Sequence, residues 1–198
     1  MDLRFNQVKQ AVLAKKDKST KGVVDERIKL LLDVLNAQEN YYTTSSCSGR
    51  IVLLHGEHKR TATFLYCSHD PVQEVPQISF PKTGLVWLKC EGAILHVACK
   101  TLEAASVLLK AAQTTGFKHS GLISFEPKIV VEIKSAEYLA VPLCKDGQLL
   151  TGSLDQFLAI ANEKLHKNFR MLDALIKCAV SESELHILSQ QSLYTLFV

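Results

Sequence analysis

The chain has 198 residues, 47% of them apolar and 22% charged, proportions that exclude a disordered or collagen-like protein and suit roughly one large domain. Its formal net charge is only +3, and no apolar run approaches the ~18 residues that a membrane span needs. With no apolar signal core after Met1, the expectation is a soluble, non-secreted, cytoplasmic protein.

The charge is unevenly spread. Residues 1–21 carry six basic side chains (Arg4, Lys9, Lys15, Lys16, Lys18 and Lys21) against Asp2 and Asp17, so the whole positive excess sits at the amino end. A solvated helix face accounts for this, and so does an arm that meets a polyanion, because clustered Lys and Arg release counterions near phosphates. Phe5, Val8 and Val12 mark an amphipathic opening, followed by a polar break around Lys18 to Gly22. From Val24, apolar residues recur at Ile28, Leu31, Leu32 and Leu35, the 3.6-residue period of a core-facing helix. The hydroxyl-rich stretch from Tyr41 to Ser46 leads into a short strand, Ile51 to Leu54, whose partner is Thr61 to Cys67. Pro71, Pro76 and Pro81 give an irregular crossing, and Leu85 to Cys90 and Ala93 to Cys99 read as two further strands. Thr101 caps a helix with a stripe at Leu102, Ala105, Leu108, Leu109 and Ala112, ended by Gly116.

Gly121 to Phe125, Ile129 to Ile133 and Leu139 to Cys144 follow as strands, the middle one half-buried by its alternation of Ile129, Val131 and Ile133 with Val130, Glu132 and Lys134. Ser153-Leu154-Asp155-Gln156 is a capping box that opens a long helix with a face at Phe157, Leu158, Ala161, Leu165, Phe169, Leu172 and Ile176. The segment 179–198 contains no Lys or Arg. The expected organisation is a single domain over residues 1–178 with a tail over 179–198. The order of elements favours an α+β fold, a mixed and largely antiparallel sheet with flanking helices, over a doubly wound parallel one. One helix and several strands in each half hint at internal duplication.

Six cysteines without a C-x-x-C pair argue for buried thiols rather than a metal site or a disulfide frame. The most unusual segment is Thr43-Thr44-Ser45-Ser46-Cys47-Ser48-Gly49-Arg50. It offers dense donors and acceptors, a glycine that lets backbone approach a ligand, and a guanidinium fork for carboxylate or phosphate. A polar loop that begins a strand explains it equally well. Only two residues separate Cys47 from Arg50, too few for a thiol phosphatase loop, and neither a P-loop nor G-x-G-x-x-G occurs. His69, followed by Asp70, and His96, alternating with Ile94 and Ala98, each sit at or near a strand. Either is a proton acceptor candidate or a satisfied core residue. Gly116-Phe117-Lys118-His119-Ser120-Gly121 is a glycine-bounded turn that reads as a helix cap or as a ligand loop.

At these segments the chain resembles the tRNA wybutosine-synthesizing protein 3 family, from about Phe5 to Ile176. The carriers are Lys21-Gly22-Val23-Val24-Asp25, Tyr42 through Ile51, Ser68-His69-Asp70, Ile94-Leu95-His96-Val97, Gly116 through Gly121, and Ala161-Asn162. The resemblance implies an S-adenosylmethionine-dependent methyltransferase acting on N4 of a demethylwyosine-type base beside the anticodon of phenylalanine tRNA. It also implies a non-Rossmann fold with a duplicated unit and a barrel-like sheet. On that reading Ser45, Ser46, Cys47, Ser48, Gly49, Arg50, Gly116, Ser120 and Gly121 line the donor pocket, with Arg50 for the methionine carboxylate. His96 or His69 takes a proton, Tyr42, Trp87 or Phe117 stacks on the base, and Lys18, Lys21 and Lys118 approach the RNA. No metal or membrane is expected. The alternatives are an RNA-binding module without catalysis, or an enzyme using Cys47 as nucleophile.

Overall fold

The computed structural model of the chain describes residues 2–14, 25–56, 62–74 and 76–194, of which 2 and 181–194 by backbone alone. The elements in order are α1 (Asp2–Leu13), α2 (Glu26–Ala37), β1 (Tyr41–Cys47), β2 (Arg50–His55), β3 (Thr63–Ser68), β4 (Leu85–Glu91), β5 (Ile94–Cys99), α3 (Leu102–Thr114), β6 (Gly121–Ser124), β7 (Ile129–Lys134), β8 (Leu139–Lys145), β9 (Gln148–Leu149) and α4 (Leu154–Tyr194). They form two compact units, and the chain passes between them at Cys47/Ser48, Ala93/Ile94, Lys134/Ser135 and Arg170/Met171. Each unit thus gathers several separate segments of the chain, and α4 runs through residue 179.

The first unit is built on a four-stranded antiparallel sheet in the order β1-β5-β7-β6. Alternation sends Leu95, Val97 and Cys99 of β5 and Val131 and Ile133 of β7 into the core, all at 3% exposure or less. Helix α3 packs on β7 and β5, and Tyr41 donates its hydroxyl hydrogen to the Ala104 carbonyl at 2.9 Å. Its stripe is buried at Ala105, Leu108 and Ala112 as the spacing predicts, and each fully buried large aliphatic contributes roughly 1.5–3 kcal/mol. The Thr101 side chain accepts from the Ala104 amide at 3.2 Å, so the predicted cap is present. The helix ends at Gly116, whose φ of 108° is a left-handed conformation that glycine adopts without strain.

The second unit carries a five-stranded antiparallel sheet, β3-β2-β4-β8-β9. Ile51 and Leu53 of β2 and Val86, Leu88 and Cys90 of β4 are buried, as are Leu158, Ala161 and Leu165 of α4, and Ile51, Leu53 and Leu88 share a cavity wall with Leu154 and Leu158 of that helix. Of the apolar stripe read from sequence, Leu158, Ala161, Leu165 and Phe169 are buried and belong to this unit, while Leu172 and Ile176 belong to the first.

Three expectations change. The sheet is not barrel-like: two open antiparallel sheets stand in place of a closed one, and they differ in strand number and order, so duplication is not visible in the topology. Tyr41 to Cys47 is a strand rather than a polar lead-in, because β-branched threonines suit a pleated sheet edge and hydroxyls tolerate its wet face. Helix α4 continues beyond Ile176 to Tyr194. Among the described residues, no helix is long and apolar enough to cross a membrane.

Candidate functional site

In the first unit, strand register lines up four residues from four strands. Ser45 pairs with His96, His96 pairs with Glu132, and Glu132 pairs with Gly121. Directly opposed residues of antiparallel strands share a sheet face, and the side chains meet accordingly. Ser45 Oγ lies 2.7 Å from His96 Nδ1, and His96 Nε2 lies 2.9 Å from Glu132 Oε2. The imidazole is 28% exposed and the carboxylate 25%, while Ser45 is exposed. A β-carbon built on Gly121 would meet no atom within 4 Å, so the row ends in open space beside a carboxylate.

The glycine-bounded turn delivers Gly121 to this row. Phe117 is fully buried, and its amide donates to the Ala112 carbonyl at 2.9 Å. Ser120 is buried as well, its Oγ accepting from the Lys134 amide at 3.2 Å, which ties the turn to the end of β7. Lys118 points to solvent at the turn's tip.

In the second unit, Ser48 and Gly49 make the tight turn into β2. Gly49 has φ of 99°, and a β-carbon there would lie 2.8 Å from Asn168 Nδ2 and 3.1 Å from the Glu91 carbonyl. Asn168 is itself fully buried. Its Nδ2 donates to the Ser48 carbonyl at 2.6 Å, and its Oδ1 accepts from the Ala93 amide at 2.9 Å. His69 Nδ1 is 3.0 Å from the Gly49 carbonyl, and a carbonyl only accepts, so that nitrogen carries the hydrogen. Arg50 Nε donates to Glu91 Oε2 at 2.7 Å, and its guanidinium lies over the Phe64 ring, 5.1 Å from the centroid.

The structure therefore brings Ser45, His96 and Gly121 into one row and ties Ser120 to its edge, and it assigns Ser48, Gly49, Arg50 and His69 to the second unit's turn. Gly116 ends α3, and Ser46 and Cys47 complete β1. Two expectations are corrected. Tyr42 is 1% exposed and Phe117 not at all, and Tyr42 stacks obliquely on Phe5 at 5.1 Å, so neither ring offers a face to a base. Trp87 is only half-buried, with Lys89 Nζ 5.6 Å from its centroid. Lys18 and Lys21, with Lys15 and Lys16, lie outside the described residues. No disulfide joins any of the six cysteines, and burial pushes the Cys90 and Cys99 thiols up to about 11 and about 12, which keeps them neutral as packing groups. Glu132 and Asn168 were missed from sequence. Their signals were a carboxylate interrupting an apolar strand and an amide on the Ala161–Leu165–Leu172 stripe.

Comparison with known proteins agrees with the resemblance. A solved structure of the PH1069 protein from Pyrococcus horikoshii superposes with a TM-score of 0.80 at 33% identity, covering 90% of this chain and 97% of that one. A Danio rerio protein named tRNA wybutosine-synthesizing protein 3 homolog is 34% identical over 88% of this chain and 74% of its own. A Thermococcus sibiricus protein named tRNA(Phe) 7-((3-amino-3-carboxypropyl)-4-demethylwyosine(37)-N(4))-methyltransferase is 38% identical over 85% of this chain and 90% of its own. The family model described as Methyltransferase TYW3 matches residues 6–181, and with these relatives it establishes that the chain belongs to that family.

Proposed function

We propose that this methyltransferase transfers the methyl group of S-adenosylmethionine to N4 of a demethylwyosine-type base in the anticodon loop of phenylalanine tRNA, in the cytoplasm. The tRNA methyltransferase activity in wybutosine biosynthesis follows from the family and from what its relatives are named for. The observation that carries the site is the row Ser45–His96–Glu132 ending in open space at Gly121. The Glu132 carboxylate beside that space is an acceptor suited to a donor with a cationic sulfonium centre and ribose hydroxyls. The absence of a G-x-G-x-x-G turn fits a donor held outside a Rossmann crevice.

When bound, S-adenosylmethionine supplies an electrophilic methyl carbon. The chain's part is alignment and proton removal, since in-line displacement draws much of its acceleration from positioning. His96 is the proposed base, placed by hydrogen bonds at both ring nitrogens. Arg50, oriented by Glu91, is the candidate in the second unit for a carboxylate or phosphate group. A partly exposed Trp87 is the remaining stacking candidate. Lys118 and the lysines of residues 15–21 supply charge for the RNA backbone.

The test incubates the full chain with S-adenosylmethionine and with phenylalanine tRNA purified from cells that stop at the demethylated base. A mass gain of one methylene on that nucleoside, with calorimetric binding of the donor, is expected. Binding of the tRNA with neither donor binding nor methylation would overturn the enzyme and leave an RNA-binding module.

A further inference from the structure

The hydrogen-bond pattern of the row places one hydrogen of His96. An ionised carboxylate is an acceptor only, so the ring nitrogen facing Glu132 Oε2 at 2.9 Å, Nε2, carries the hydrogen. In the tautomer that can act as a base, the lone pair is at Nδ1, and Ser45 donates its hydroxyl hydrogen to it across 2.7 Å. Both ring nitrogens are thus occupied, and the imidazole has no direct path to a substrate proton. The exposed end of the chain of bonds is Ser45 Oγ, whose hydrogen points to His96 and whose remaining lone pairs face outward.

We propose that Ser45 is a catalytic residue of the methyl transfer, the first acceptor of the proton lost by the attacking nitrogen, with His96 and Glu132 as the positioned groups that take and hold it. This rests on the functional reading above. As the nitrogen's lone pair bonds the methyl carbon, the electrons of the breaking carbon–sulfur bond stay with sulfur. The nitrogen's hydrogen passes to Ser45 Oγ while the hydroxyl hydrogen passes to Nδ1. The imidazolium so formed is stabilised by the Glu132 carboxylate and returns its proton to solvent, to which a quarter of the ring is open. The arrangement has the logic of a serine–histidine–carboxylate triad with the two ring nitrogens exchanged, and it uses the serine as a relay, not as a nucleophile. No covalent enzyme intermediate forms.

The register supports this division of labour. Glu132 stands one strand from His96 and two from Ser45, roughly 10 Å across a sheet with strands about 4.8 Å apart. The carboxylate therefore reaches the hydroxyl only through the ring.

The experiment compares single-turnover methylation by wild type, Ser45→Ala, Ser45→Thr, Glu132→Gln and His96→Asn, with donor and tRNA affinities measured separately by calorimetry. Ser45 is exposed on an edge strand, so folding is preserved in both serine variants, as thermal melting will register. Ser45→Ala should slow transfer about 100-fold, the low end of what a positioned general base supplies, with donor and tRNA affinities within twofold of wild type. Ser45→Thr, which restores the hydroxyl, should recover to within about threefold, and Glu132→Gln should lose about tenfold with a reduced solvent isotope effect. Because the residues act as one unit, Ser45→Ala combined with His96→Asn should be no slower than the worse single variant. A readout independent of activity is the nitrogen NMR of His96 in the unliganded chain, which should show hydrogen on Nε2.

A wild-type rate in Ser45→Ala, additive losses in the double variant, or hydrogen on Nδ1 each overturns the relay while leaving the methyltransferase intact. Absence of methylation by wild type itself overturns the functional reading beneath it. A loss in Ser45→Ala that appears wholly as weaker donor binding also rejects the relay and makes Ser45 a binding group.

Discussion

In the first unit, Ser45, His96 and Glu132 bond to one another and keep a quarter or more of their surface in water. In the second, Asn168 is fully buried and bonds to backbone, at the Ser48 carbonyl and the Ala93 amide. Both sets are polar side chains on or under antiparallel sheets, and their surroundings give them opposite work. A group already in contact with water exchanges partners with a ligand at small cost. A buried amide that satisfies two backbone groups cannot move without orphaning both. The wet row is suited to chemistry and the dry amide to holding the turn that carries Gly49 and Arg50.

The largest expected effect breaks the dry side. Asn168→Leu leaves a carbonyl and an N–H buried without their partners, at about 1–3 kcal/mol each. Urea unfolding should therefore report a loss of roughly 3 kcal/mol or more. A loss below about 0.5 kcal/mol, the range of ordinary surface substitutions, would show that the amide is not the second unit's anchor.

On the wet side, Gly121→Val should separate function from stability. The position has open space around a built β-carbon and lies in a strand, where valine is favoured. Unfolding free energy should stay within about 0.5 kcal/mol of wild type. Methylation should fall at least about tenfold, because even one methylene misfitted in a pocket costs that much. Full activity in this variant would remove the space beside Glu132 from the site.

A smaller effect sharpens the comparison through pH. Glu137 of the second unit is largely buried, which raises its carboxyl, but hydrogen bonds from Lys167 and Lys164 outweigh that burial and hold it below the usual range. A carboxyl depressed in the folded state contributes stability above its unfolded pKa of about 4.3, and that contribution is lost as pH falls through the lower folded value. Glu137→Gln should thus be less stable than wild type at neutral pH. The gap should close on acidification below about pH 4, as followed by unfolding across pH 7 to 3. A gap independent of pH would assign the effect to packing.

Much of this molecule is readable locally. The stripe of α2 lies where a 3.6 period places it, that of α3 does so at Ala105, Leu108 and Ala112 but not at Leu102, which is exposed at the helix start, and Thr101 and Gly116 cap α3 as their chemistry requires. The strand Tyr41–Cys47 was obscured because its residues are hydroxylated on both faces, so no apolar alternation marks it. Phe117 and Tyr42 looked available for stacking because aromatic residues beside glycine or hydroxyl runs carry no sign of burial. Their core positions come from α3 and α1 respectively. Glu132 looked like the wet half of an alternating strand, which it is, but its partner could not be named from spacing.

By itself the sequence determined the helical faces, the antiparallel character of the sheets, the family motif and the concentration of charge at the amino end, because each depends on near neighbours or on composition. Only the tertiary structure decided that the chain forms two units and that Ser45, His96 and Glu132, separated by 51 and 36 positions along the chain, share one row. Register is the reason. Sliding a strand by one residue reverses which face every side chain takes, and that choice is made by the packing of the whole unit.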